Sequence, residues 1–219
     1  VAEGTLHRRI AVQLCASILM LGDFGYLHIS RIIGQDIKKL RQMGLNGYIS
    51  CQELRAGSPN MLPNYVMGGI LFDESADVEQ LIREYCEAAY SGDPQLAKDY
   101  LEQLSDLSSC DYLNGKGPRK NPDIARRMGK ISEVCTQMEE RLKAVPDSPH
   151  WKALRRHNGY IRRLALAMEA LASGKQEDST YLYQQMRQYI CQTEPEFQSW
   201  LDVYRILEVT QKYTGFKLD

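Results

Sequence analysis

No stretch of this sequence stays apolar for the roughly 20 residues that a membrane-crossing helix needs, so no transmembrane helix is expected. Neither sign of charge is in excess, since 27 Lys and Arg stand against 28 Asp and Glu. Without a basic stripe or a recognition motif, nucleic acid and anionic membrane surfaces are not expected partners. The six cysteines are scattered, with no Cys-x-x-Cys and no His at metal-ligand spacing. The four histidines include no His-Glu-x-x-His, so no metal is expected. No Gly-x-Ser-x-Gly elbow and no cofactor motif occurs, and no cofactor is expected. Asp23-Phe24-Gly25, preceded by His7-Arg8-Arg9, loosely imitates a kinase catalytic segment. Arg9 stands where the base belongs and Leu14 where the metal-binding Asn belongs, so a glycine-bounded turn is the better reading.

Cys86, Cys135 and Cys191 fall on apolar faces of predicted helices, which suits buried reduced thiols and a cytoplasmic protein. Arg8-Arg9 followed by Ile10 to Leu21 imitates a signal peptide, but the chain starts at Val1 and shows no Ala-x-Ala cleavage pattern. A start at Val rather than Met suits a fragment of a longer protein.

What is present is helical periodicity. Leu6, Ile10, Leu14, Ile18 and Leu21 recur every three to four residues, although Ile18 to Leu21 equally suits a buried strand. Ile33, Ile37 and Leu40 give a helix that Gly44 closes, and Leu45 to Cys51 reads as a strand. Asp77 with Gln80, Asp93-Pro94 and Asn121-Pro122 are helix starts. The seam Ile124, Met128, Ile131, Cys135, Met138 and Leu142 asks for partner helices. The turn Pro146 to Pro149 sends the next helix back antiparallel. Asp178 begins another helix, and Pro195 a last one with Phe197, Leu201 and Tyr204 facing inward. The Lys and Arg pairs Arg126-Arg127, Arg155-Arg156 and Arg162-Arg163 read as solvated faces, and His157 as a packed or surface histidine.

The expected fold is therefore mainly α: antiparallel helical hairpins with one or two short parallel strands near the amino end. Residues 1–72 form a βα-type segment with a polar loop, and 73–219 a helical bundle. Chemistry concentrates at the junction, Met43 to Ile82. If Ile18 to Leu21 and Leu45 to Cys51 are parallel neighbours, Asp23 and Glu53 emerge at carboxyl ends, where α/β folds place their sites. Two carboxylates there can serve as acid and base or nucleophile in glycoside cleavage. The bland alternative is that Glu53 is a loop residue or a helix cap. Asn64 and Tyr65 can hydrogen-bond or stack on a sugar, or Tyr65 can anchor a helix on the core.

Gly47-Tyr48-Ile49-Ser50-Cys51-Gln52, Arg55, Pro63-Asn64-Tyr65-Val66-Met67 and Ala76-Asp77-Val78 resemble a large bacterial family of unknown function described as glycoside-hydrolase-like. The likeness runs from about Gly25 to Leu107 and more loosely onward, where Arg155 to Leu171 resembles the family's late arginine-rich helix. Glu53 and Phe72 stand where the pattern has an uncharged residue and often Trp. The resemblance implies the last βα units of an α/β barrel plus a helical appendage. It also implies a carbohydrate-active protein in which Gln52, Glu53 and Arg55 line the rim of a sugar site. The alternative is a non-catalytic helical module that binds a protein partner or its own copy.

Overall fold

The computed structural model describes residues 10–13, 22–45, 47–50, 58–214 and 216. Nine helices occur among them: α1 (Leu27–Leu40), α2 (Leu62–Phe72), α3 (Val78–Ala89), α4 (Pro94–Leu107), α5 (Cys110–Leu113), α6 (Pro122–Arg141), α7 (Pro149–Ala172), α8 (Gln176–Phe197) and α9 (Val203–Thr214). The protein is mainly helical. Two segments of four residues, β1 (Ile10–Gln13) and β2 (Gly47–Ser50), lie parallel with Ile10 opposite Gly47 and Gln13 opposite Ser50. A pair this short has no sheet core of its own and amounts to no barrel unit. Ile18 to Leu21 lies outside the described residues.

The helix ends follow local chemistry. Asp77 accepts from the Gln80 N–H, Asp93 from Leu96, Asn121 from Asp123 and Ile124, and Ser148 from Trp151, so the starts of α3, α4, α6 and α7 are each capped. Gly44 has φ 73° beyond the end of α1. Its N–H donates to the Arg41 carbonyl and that of Leu45 to Leu40, a Schellman closure that needs a left-handed residue.

α6 and α7 are the central hairpin. The Asn121 N–H donates to the Ala172 carbonyl at 2.8 Å, while Arg155 donates to the carbonyls of Leu142 and Val145 at the opposite end. The start of each helix therefore meets the end of the other. Every member of the predicted seam from Ile124 to Leu142 is buried. α8 packs along α7, and α9 closes on α8 through a 2.7 Å Tyr183–Thr210 hydroxyl contact. One hydrophobic cluster joins this bundle to Phe24, Leu27 and Ile33 near α1 and to Leu62 and Val66 of α2.

Three expectations are corrected. Pro195 does not begin a helix: it lies inside α8, two residues from its end, where its missing N–H removes only one bond from a ladder that is already closing. The last helix begins at Val203, which turns Tyr204 outward at 75% exposure; Val203, Ile206 and Val209 are buried instead. Cys191 is exposed, whereas Cys86 and Cys135 are buried free thiols that burial pushes up to about 11 and about 12. Two of the paired arginines are also more than solvated: Arg155 ends α6, and Arg127 donates to the carbonyls of Leu107 and Ser108 at the end of α4.

Candidate functional site

The segment before α1 is tied both to its own helix and to α4 and α7. Asp23 is 3% exposed, and both its oxygens are engaged by backbone. Oδ1 accepts from the N–H groups of Gly25 (3.2 Å) and Tyr26 (3.1 Å), and Oδ2 from that of Ile29 (2.8 Å). A carboxylate at the start of a helix satisfies orphan donors and sits at the positive end of the helix dipole. Tyr26 at φ 67° completes the turn. Asp23 therefore caps α1, four residues earlier than the first helical residue, a spacing that no local start signal encodes.

The rest of that turn is held from α4 and α7. The Leu27 N–H donates to Ser105 Oγ at 3.1 Å and the Phe24 N–H to Ser108 Oγ at 2.9 Å. His157 Nε2 donates to the Phe24 carbonyl at 2.7 Å. A Cβ at Gly25 would fall 1.8 Å from the Leu101 carbonyl oxygen, so only glycine permits this approach. A cavity of about 10 Å³ beside His157 and Ser58 holds one water at most and cannot take a sugar.

Gln52, Glu53 and Arg55 lie outside the described residues, so the predicted Asp23–Glu53 pair has no measured separation. They precede α2 in sequence, and the first turn of α2 carries Asn64 and Tyr65. Asn60 is buried and accepts from the Leu62 N–H at 3.1 Å, while Tyr85 of α3 accepts from the Met61 N–H at 2.8 Å. Burial pushes the Tyr85 phenol up, so it remains a neutral hydroxyl. Tyr65 lies 5.6 Å from the Tyr85 ring, tilted by 55°, and is 42% exposed. Asn64 is half-buried beside it. Asn60 and Tyr85 were not foreseen from sequence, although an Asn three residues before a Pro-started helix is a readable signal.

A second concavity of about 560 Å³ lies between α1, α2 and β2, floored by Ile37, Tyr48 and Ile70. Phe72, at 96% exposure, and Leu71 stand on its rim beside a 2.9 Å Arg41–Glu74 ion pair. No family model, no curated protein and no solved structure matches the chain.

Proposed function

We propose that the chain is the carboxyl-side, largely helical part of a carbohydrate-active, glycoside-hydrolase-like protein. In this reading Tyr65 and Asn64, with Gln52, Glu53 and Arg55 of the preceding sequence, form a sugar-binding rim that the helices support. One observation carries it. Tyr65, inside the Pro63-to-Met67 motif on which the family resemblance rests, keeps an exposed ring braced by Tyr85 instead of packing it into the core. A rigid aromatic face with a polar tip suits an amphipathic sugar ring, and Asn64 beside it offers a donor and an acceptor for hydroxyls. Asp23 supports the turn rather than the chemistry, because its lone pairs already accept three backbone N–H groups. Glu53 remains the carboxylate available to a reaction.

The test is calorimetric titration of the whole chain with a panel of neutral and acidic oligosaccharides. Tyr65→Ala is expected to weaken binding at least about tenfold, and Tyr65→Phe to retain most of it. A panel without a binder, or a binder indifferent to Tyr65→Ala, removes the proposal.

A helical interaction module is the second reading, favoured by Leu71 and Phe72 on the rim of the α1–α2 cleft. An aromatic side chain this exposed beside an apolar floor commonly marks a contact surface. Light scattering over a concentration series distinguishes it: association lost in Phe72→Ser supports it, and a monomer throughout argues against self-association.

A further inference from the structure

We propose that His28, Glu102 and Asp106 form a binding site for one divalent transition-metal ion of the zinc class, joining α1 to α4. Residues far apart in sequence are brought together here by helix packing, which is why no ligand spacing betrays them. One ligand atom from each residue lies within 4.8 Å of the other two. His28 Nε2 is already 2.9 Å from an Asp106 oxygen. Glu102 and Asp106 stand one turn apart on α4 and share a face, while His28 enters from the first turn of α1. Zinc bonds to imidazole nitrogen and carboxylate oxygen at about 2.0–2.2 Å, so tetrahedral ligands sit roughly 3.5 Å from one another.

The backbone beneath the three side chains is clamped, unlike that under a chance surface cluster. Gly25 lies against the Leu101 carbonyl, and the Leu27 N–H is bonded to Ser105 Oγ, on the same turns of α4 that carry Glu102 and Asp106. His28 therefore keeps its station over the two acids. Both Glu102 oxygens are held by Arg31, Oε1 by Nη1 at 2.5 Å and Oε2 by Nη2 at 2.9 Å, so an ion would take a remaining lone pair of this carboxylate; Arg31 is itself held by Glu79 at 2.6 Å. Such outer contacts fix a ligating carboxylate. Around the site the three carboxylates of Glu79, Glu102 and Asp106 outnumber the two cations Arg31 and Lys98. The imidazole nitrogen selects zinc, nickel or copper over magnesium and calcium. One or two waters complete the coordination, and the ion acts as a staple between α1 and α4 beside the Arg31–Glu102 ion pair.

The experiment titrates the whole chain with zinc chloride and, separately, magnesium chloride, reading heat and melting temperature. The same titrations are run on His28→Ala, Asp106→Asn and Cys191→Ser. One zinc ion per chain, a raised melting temperature and indifference to magnesium are expected for the unaltered protein. Binding at least about tenfold weaker is expected in both ligand variants, with none of that loss in Cys191→Ser. His28 and Asp106 are solvent-facing, so both variants should match the parent's circular dichroism without zinc. Equal zinc affinity in the parent and His28→Ala overturns the site. So does a melting temperature that zinc leaves unmoved, or loss of binding in Cys191→Ser, which would place the ion on the thiol.

Discussion

His157 Nε2 lies 2.7 Å from the Phe24 carbonyl oxygen, joining the middle of α7 to the turn that starts α1. The imidazole is buried, and burial pushes it down to about 4 against the contact with the carbonyl, which acts the other way. The folded protein therefore keeps His157 neutral through a range in which the unfolded chain is protonated. Stability from this source is complete above the ordinary histidine value of 6.5 and falls as pH drops from there to about 4, then levels off. The loss amounts to roughly 3 kcal/mol. Urea melts at pH 7, 5.5 and 4.5 should show a shallower decline for His157→Gln, which keeps an N–H donor but does not titrate. Parallel declines in the two proteins would rule out this origin.

Two glycines should respond in opposite directions to the same change. A methyl at Gly25 meets the Leu101 carbonyl oxygen at 1.8 Å, a backbone atom that cannot step aside without moving α4. Gly25→Ala should cost about 3 kcal/mol or more. Gly68, inside α2, has nothing within 4 Å of the position its Cβ would take. Gly68→Ala should stabilise by about 0.5–1 kcal/mol, because alanine loses less backbone freedom in a helix. Chemical denaturation of both variants measures this, and two equal changes would contradict the close approach.

The pattern of what the residues disclosed follows from range. The caps at Asp77, Asp93 and Asn121 act on N–H groups two or three positions away, and the seam on α6 is a fixed period, so both could be read directly, whereas Ser148 read only as part of a turn and proves to cap α7. The role of Asp23 depends on Ile29 six residues on, and on a turn held by Ser105, Ser108 and His157. Arg127 and Arg155 look like solvated charges until the carbonyls they cap are placed beside them. Pro195 is ambiguous for another reason: a proline serves equally at the start of one helix and in the last turn of the one before. At the candidate site the position of Tyr65 on a helix could be foreseen. Its exposure could not, since that depends on Tyr85 of a different helix supporting it.

A buried polar relay ties three helices. The Tyr100 hydroxyl of α4 donates to Asn158 Oδ1 of α7 at 2.8 Å, and Asn158 Nδ2 donates to the Cys135 carbonyl of α6 at 3.1 Å. All three residues are buried, so no water replaces a lost partner. Tyr100→Phe keeps the ring and strands the Asn158 oxygen, which should cost about 1–3 kcal/mol. Asn158→Leu in the Tyr100→Phe background should add less than Asn158→Leu costs alone, since the two share one bond. Strict additivity in the four equilibrium melts would show that the pair is not coupled.

Asp23 is where capping and catalysis give different outcomes. Its two oxygens accept from three backbone N–H groups, and it is buried against α4 and α7. Asp23→Asn keeps one acceptor and aims an amide N–H₂ at the remaining donors. It should therefore lose about 2 kcal/mol, or roughly 4–8 °C of melting temperature for a chain of this size. The same variant should leave the affinity for any oligosaccharide found in the titration panel unchanged, because no Asp23 oxygen is free to meet a ligand. Melting curves and titration of Asp23→Asn together decide the matter. Unchanged stability with lost binding or turnover would return Asp23 to the chemistry, whereas lost stability with intact binding leaves it as the cap that holds α1 in place.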